Sequence, residues 1–158
     1  MQGTTAHKHL IGIRPINIAA LMELLERNYR LVEQLLPELD APFDAAVSRA
    51  RGEPDLHLEI VGREKFTLGL RLGYELGDGG RKPDFHIRVY LDARVAEATD
   101  DPIRPRWLAR DEDDPEAMRY LGRQWDLNLM LHKWLTYLLE RGHGFEMAQR
   151  PRVGSYEV

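Results

Sequence analysis

A run of alternating side chains over residues 85–98 carries the groups best suited to bind a charged ligand. Its odd positions are apolar from Phe85 to Val95, and its even positions hold His86, Arg88, Tyr90, Asp92 and Arg94. This period of two predicts one half-buried strand whose polar side chains point away from the core. Arginine presents fork-shaped donors that match phosphate and carboxylate groups, so this face is a candidate surface for an anion.

Two more segments alternate in the same way and predict neighbouring strands. Residues 56–61 and 66–76 each place leucines mainly on one side and polar residues or glycines mainly on the other. Because short turns separate these segments, an antiparallel meander is favoured over parallel strands joined by helices. A fourth strand is predicted over residues 104–110, whereas residues 45–47 are interpreted as a short helical turn.

Pairing of these strands gathers polar side chains on one face of the predicted sheet. The neighbouring strands contribute His57, Glu59, Thr67, Gly69, Arg71, Gly73 and Glu75. We therefore predict a ligand-binding surface formed by Arg71, His86, Arg88, Tyr90, Asp92 and Arg94. The alternative is a water-facing sheet whose charges pair across the strands, which is common on the outer faces of antiparallel sheets.

No metal site and no cofactor are predicted. His57 and His86, with an acid such as Glu59 or Asp92, are suitable ligand types, but no motif such as His-x-x-x-His brings them together. The acidic run at 111–114 lacks the spacing of a calcium loop and is better explained as the cap of a following helix. Neither a phosphate loop nor a dinucleotide fingerprint occurs.

Two amphipathic helices flank the predicted sheet. The first is predicted to begin after Asn17 and to run to about Leu36, where Pro37 stops it. The second is predicted to begin at Asp114 and Pro115 and to end near Gly142. Asn28 and Asn128 fall on or beside the apolar stripes. Buried amides require partners, so they either tie the elements together or form the polar floor of a small pocket.

Length and composition indicate one domain of the α+β class. A chain of 158 residues with 43% hydrophobic and 30% charged residues can bury its own core. We predict a leader over 1–14, the domain over 15–142 and a tail over 143–158, with both helices on one face of an antiparallel sheet of about four strands.

The same composition excludes several classes of function. The net charge of −4 gives no global field for nucleic acid, and the absence of cysteine excludes disulfides and thiolate chemistry. No apolar segment is long enough to form a secretion signal or a membrane span. A cytoplasmic protein is therefore predicted.

Three segments carry a resemblance to a known family: residues 21–30 with 35–37, residues 88–97, and residues 125–131 with 133–135 and 142. In these segments the chain resembles DUF1249, a family of small bacterial proteins without an assigned activity. The resemblance supplies no catalytic residues. The family commonly has histidine where this chain has Leu91. Because position 91 lies on the predicted apolar face, that histidine is better explained by packing than by catalysis.

These observations favour a binding or regulatory module that uses the polar face of its sheet. Its ligand would be a partner protein or a small anionic molecule, without nucleic acid or membrane, and a homo-oligomer is left open. The alternative is a small enzyme in which His86 and Asp92 perform acid–base chemistry while the arginines hold the substrate.

Overall fold

The computed structural model describes residues 17–39, 41–78, 80–99 and 115–146. In chain order, its elements are α1 (Ile18–Leu35), β1 (Ala45–Ser48), β2 (Leu56–Arg63), β3 (Thr67–Glu75), β4 (Arg81–Tyr90), β5 (Val95–Ala98) and α2 (Pro115–Glu140). The predicted leader, the fourth strand predicted over 104–110, the acidic run before α2 and most of the predicted tail lie outside the described residues.

Helix α1 begins and ends where its sequence predicts. The Asn17 side chain accepts a hydrogen bond of 2.7 Å from the backbone N–H of Ala20, which satisfies a free donor of the first turn. The backbone N–H of Leu36 still bonds to the carbonyl of Val32 before the chain leaves the helix ahead of Pro37. The buried stripe from Leu21 to Leu35 faces the rest of the protein.

The five described strands form one antiparallel sheet in the order β1-β2-β3-β4-β5. The α+β class and the antiparallel meander are confirmed, with five strands in place of about four. The interpretation of residues 45–47 as a helical turn is wrong, because Ala45–Ser48 pairs with β2 along its whole length. Pairing and the burial of Ala46 and Ser48 outweigh the weak local preference of this short segment.

The predicted single strand over residues 85–98 is two strands, β4 and β5, joined by a turn at residues 91–94. The N–H of Arg94 bonds to the carbonyl of Tyr90 at 2.8 Å, and Arg94 adopts a positive φ of 59°. After the turn, Ile87 pairs with Ala98 and Arg88 with Glu97, so odd positions of β5 share a face with even positions of β4. The apolar alternation continues across the turn and therefore conceals it.

Both helices cover the face of the sheet that carries the leucines. The core contains buried residues from all five strands together with those of the C-terminal halves of the helices. The Trp134 ring of α2 stacks on Phe85 at 5.4 Å and meets Tyr74 edge-on at 5.7 Å. These contacts fix α2 against β3 and β4 and leave the polar sides of the central strands on the opposite face.

The two helix asparagines tie the helices together and cover the edge of the sheet. Asn128 Oδ1 accepts a hydrogen bond of 2.6 Å from the N–H of Ala98, and its Nδ2 donates to the carbonyl of Ala98 at 3.3 Å. Asn28 Nδ2 donates to the backbone carbonyl of Asn128 at 3.1 Å. The structural interpretation of both amides is confirmed, because they bind backbone groups of β5 and of the facing helix.

The chain continues to pack after α2 ends. Gly142 has a positive φ of 93°, and the N–H of His143 bonds back to the carbonyl of Leu138 at 3.0 Å. Phe145 is fully buried, and its N–H donates to the carbonyl of Leu35. His143 and Phe145 are thus buried against the rest of the domain. Within the described part of the chain, neither helix is long and apolar enough to cross a membrane.

Candidate functional site

The uncovered face of the sheet carries polar side chains in rows that cross the strands. One row contains Glu59, Arg71 and His86, and the adjacent row contains His57, Gly73 and Asp84. A third row contains Gly62, Gly69, Arg88 and Glu97. The register thus brings Arg71, His86 and Arg88 onto one face, as their spacing predicts.

An ion-pair network occupies the middle of this face. Arg71 donates to both oxygens of Asp84, with Nη2 at 2.7 Å from Oδ2 and Nε at 3.0 Å from Oδ1. This hydrogen bonding lowers the pKa of Asp84 and raises that of Arg71. Arg81 Nη1 lies 3.2 Å from Glu59 Oε1. Arg71, a predicted ligand-binding residue, therefore has a carboxylate partner already, which fits the alternative of charges paired across the strands.

A hollow of about 300 Å³ lies beside this network. We call it the glycine hollow, and its wall includes Val61, Gly62, Thr67, Gly69, His86, Arg88 and Thr99. It forms because the β2–β3 register shifts at Val61, and because Gly62 pairs with Gly69, so neither strand contributes a side chain there. A Cβ on Gly69 would lie 3.3 Å from Val61 Cγ2 and would narrow the space.

Arg88 lies at the wall of the glycine hollow and is only 8% exposed. Glu97, opposite it in the register, is 1% exposed, and the Tyr90 hydroxyl donates to Glu97 Oε1 at 3.2 Å. Burial, opposed by the hydrogen bond with Arg88, raises the pKa of Tyr90 to about 12, so the hydroxyl remains a donor at neutral pH. Arg88, Tyr90 and Glu97 thus form a buried polar cluster behind the hollow.

Glu97 was not among the predicted site residues. The sequence does mark it, because the odd positions from Phe85 to Val95 are apolar and Glu97 is the first acid among them. If residues 85–98 formed one strand, Glu97 would face the core, where an unpaired carboxylate is costly. That conflict is resolved by the turn at 91–94, which places Glu97 beside Arg88.

His86 lines the glycine hollow and contains a buried ring nitrogen. Its Nδ1 atom is buried and has no hydrogen-bond partner among the described residues. Buried polar atoms in proteins are nearly always satisfied, by protein, water or ligand. Because this atom has almost no exposed surface, His86 lines the hollow through its other atoms, and Arg88 is the candidate contact for an anion held there.

Asp92 and Arg94 do not share this face, although the spacing predicts that they do. Asp92 lies in the turn after β4, where Oδ1 accepts a hydrogen bond from the N–H of Ala93. The guanidinium of Arg94 lies over the ring of Tyr29 in α1, 5.1 Å from its centre, and 3.8 Å from Glu33. The turn ends the alternation, so the structure does not bring Asp92 and His86 together as an acid–base pair.

A second group of titratable side chains lies where β2 begins and β3 ends. Asp55, His57 and Glu75 each offer one ligand atom, and these atoms lie within 4.8 Å of one another. His57 Nε2 is 2.7 Å from Glu75 Oε1. Among the described residues this is the one group with three converging metal-ligand types, and it includes neither His86 nor Asp92.

Comparison with known proteins identifies relatives over most of the chain. Residues 30–144 match the model of a family described as "Protein of unknown function (DUF1249)". The "Uncharacterized protein YqiB" of Escherichia coli strain K12 is 27% identical over 124 residues, which cover 77% of this chain and 88% of that protein. Proteins of the same name from strains O6:H1 and O157:H7 match to the same extent.

No solved structure matches the chain. The family match covers β1 to β5, α2 and the last third of α1, so it includes the glycine hollow and the buried cluster behind it. The resemblance predicted from three separate segments is confirmed over this continuous span. The chain belongs to the DUF1249 family.

Proposed function

We propose that the protein is a binding module that holds a small anionic ligand in the glycine hollow. The observation that carries the proposal is the position of the mostly buried Arg88 in the wall of a space that two glycines leave open. A volume of about 300 Å³ is at the lower end of small-molecule sites, so a compact ligand fits it best.

The chemistry of the wall favours a carboxylate or phosphate group. Arg88 has five N–H donors, and its hydrogen bond with Tyr90 leaves further donors for a ligand. A guanidinium that is mostly buried is already partly desolvated, so it gives up little water when an anion binds.

Arg63 adds positive charge at the rim of the hollow. Its Nη2 donates to the backbone carbonyl of Phe43 at 3.0 Å, and this neutral acceptor leaves the charge of the guanidinium in place. Glu64 lies on the same rim and opposes this charge, so the positive potential is expected to be strongest at Arg88. The ligand is therefore expected to place its anionic group against β4.

Binding is favoured over acid–base catalysis at this site. The enzyme alternative pairs His86 with Asp92, whereas Asp92 lies in the turn beyond the end of β4. From His86 to Tyr90, the last residue of β4, the strand rises by about 13 Å. Asp92 lies two residues beyond Tyr90, in the turn. The proposal keeps the expectation of a cytoplasmic bacterial protein, which rests on the sequence and the family.

Heteronuclear NMR of the full chain tests this proposal. Sodium phosphate and sodium succinate serve as separate probes, so the experiment distinguishes the two anionic groups. We expect saturable shifts of the backbone amides of Gly62 and Gly69 and of the side chain of Arg88 with at least one probe. Shifts centred on the Arg71–Asp84 pair, or no saturable shift with either probe, would contradict the proposal.

A further inference from the structure

We propose that Asp55, His57 and Glu75 form a binding site for a divalent transition-metal ion, with Zn²⁺ as the best match. This site is separate from the glycine hollow and does not depend on the proposed anion binding. The ion-pair network of Arg71, Asp84 and Glu59 lies between the two.

Strand pairing explains why these three side chains meet. Asp55 directly precedes β2 and lies two residues from His57, so the two share one face of the sheet. The N–H of Glu75, at the end of β3, donates to the carbonyl of Asp55 at 3.0 Å, which places the two acids directly opposite each other. His57 pairs with Gly73, which has no side chain to separate the imidazole from Glu75.

The contact between His57 and Glu75 indicates a place for a cation. His57 Nε2 lies 2.7 Å from Glu75 Oε1, yet this buried nitrogen makes no hydrogen bond of acceptable geometry among the described residues. An imidazole nitrogen and a carboxylate oxygen attract each other when a proton or a metal ion lies between them. A metal ion bound to both atoms would take the place of that proton and satisfy the buried nitrogen.

The third ligand is within reach of the same ion. Ligand atoms about 2.1 Å from a tetrahedral zinc ion lie about 3.4 Å apart, whereas these three lie within 4.8 Å of one another. The carboxylates are 40% and 46% exposed, so they can rotate by the remaining distance without disturbing the core. Arg49, which is 74% exposed and 3.4 Å from Asp55, is a weak competitor for that carboxylate.

The donor set favours zinc over magnesium or calcium. Hard cations prefer shells made wholly of oxygen, whereas one imidazole with two carboxylates suits a borderline ion such as Zn²⁺. Three protein ligands leave a fourth position for water or another small ligand. The expectation of no metal site rested on the absence of a close histidine motif. Here the ligands come from an Asp-x-His pair and a residue on the next strand.

Calorimetric titration with ZnCl₂ tests the site in the full chain after treatment with a chelator. His7→Gln and His9→Gln are introduced throughout, because these two imidazoles near the N-terminus would bind zinc independently. We expect one zinc ion per chain and a roughly tenfold or greater loss of affinity in Glu75→Gln, since changes even around metal ligands have effects of this size. Glu33→Gln is the matched control, because Glu33 is 45% exposed, against 46% for Glu75, and lies on α1.

NMR of the imidazole nitrogens provides a second readout that needs no change at the site. On addition of zinc, the Nε2 resonance of His57 should shift, while those of His132 and His143 should stay in place. The absence of saturable zinc binding, equal affinity in Glu75→Gln and Glu33→Gln, or a zinc-dependent shift confined to other histidines would overturn the proposal.

Discussion

The Tyr90 hydroxyl donates a hydrogen bond of 3.2 Å to Glu97 Oε1 across the turn that joins β4 to β5. Tyr90 has an even residue number and Glu97 an odd one, so a single continuous strand would place them on opposite faces. They lie on the same face because the turn shifts the alternation by one position. This contact holds a buried carboxylate beside Arg88 and orients the polar cluster behind the glycine hollow.

Removal of Glu97 should destabilise the protein strongly. Glu97→Ala removes the acceptor of the Tyr90 hydroxyl and the carboxylate opposite the mostly buried Arg88, and leaving buried polar groups without a partner costs about 1–3 kcal/mol, more for charged groups. Urea denaturation measures the change in the free energy of unfolding. Glu33→Ala, which removes an exposed acid 3.8 Å from Arg94, should cost less than about 1 kcal/mol. Equal losses in the two variants would contradict a stabilising role of Glu97 in the buried cluster.

Asn128→Ala should open the edge of the sheet at β5. The side chain accepts a hydrogen bond from the N–H of Ala98, and a buried backbone group left without a partner costs about 1–3 kcal/mol, whereas the carbonyl of Ala98 keeps its bond from Gln124. Hydrogen exchange at the Ala98 amide should become faster, as measured by NMR. Gln124→Ala removes a single bond of 3.3 Å to the same carbonyl and should have a smaller effect. Unchanged protection of Ala98 in Asn128→Ala would contradict this role.

Stability should fall as the pH decreases from about 6.5. Burial lowers the pKa of His132 and of His143 below the ordinary value of 6.5. Below pH 6.5 the unfolded chain therefore binds more protons at these two residues than the folded chain does, which favours unfolding. Their contribution to stability is therefore fully present above pH 6.5 and is lost as the pH falls through the folded pKa values. Urea denaturation at several pH values between 7.5 and 5 measures this slope.

Replacement of both histidines should flatten that profile. The double variant His132→Gln with His143→Gln removes the two groups, so the free energy of unfolding should vary less over the same pH range. The absolute stability is expected to decrease because the contact between Ser48 and His143 at 2.9 Å is lost. The test therefore compares the pH dependence of the free energy of unfolding and not its absolute value. An unchanged slope would assign the effect to other groups.

Arg94 and Asp92 should be dispensable for anion binding. Arg94→Ala removes a cation–π contact with Tyr29 that is worth about 0.5–1 kcal/mol at an exposed site. Asp92→Asn changes an exposed turn residue. Both variants should bind the anionic probe within about twofold of the parent affinity in an NMR titration, since neither side chain lines the glycine hollow. A loss of affinity in either variant as large as that in Gly69→Ala would instead support the larger ligand-binding surface predicted from the alternation of residues 85–98.

The helices and the meander were predictable because their periods of 3.6 and 2 are strong local signals. The cap at Asn17, the stop before Pro37 and the alternation of β2 and β3 required no knowledge of distant contacts. Strand β1 could not be predicted in this way. Its four residues are held by pairing with β2 and by the contact of Ser48 with His143, which is distant in sequence.

Part of the candidate site was predictable for the same reason. Period-two alternation placed His86 and Arg88 together on the uncovered face. The hollow itself depends on the register shift at Val61 and on the pairing of Gly62 with Gly69, which become apparent only when the strands are aligned. Asp92 and Arg94 were misplaced because the alternation continued through a turn that it cannot reveal.

The affinity of Gly69→Ala for the anionic probe tests the central claim most directly. The added methyl group would lie 3.3 Å from Val61 Cγ2 and would narrow the glycine hollow while leaving Arg88 and His86 in place. Gly77→Ala is the matched control, because a Cβ there meets nothing within 4 Å. By calorimetric titration with whichever of phosphate or succinate binds the parent protein, we expect Gly69→Ala to bind roughly tenfold more weakly and Gly77→Ala to bind normally. Equal affinity in Gly69→Ala and the parent protein would contradict a ligand site in the glycine hollow.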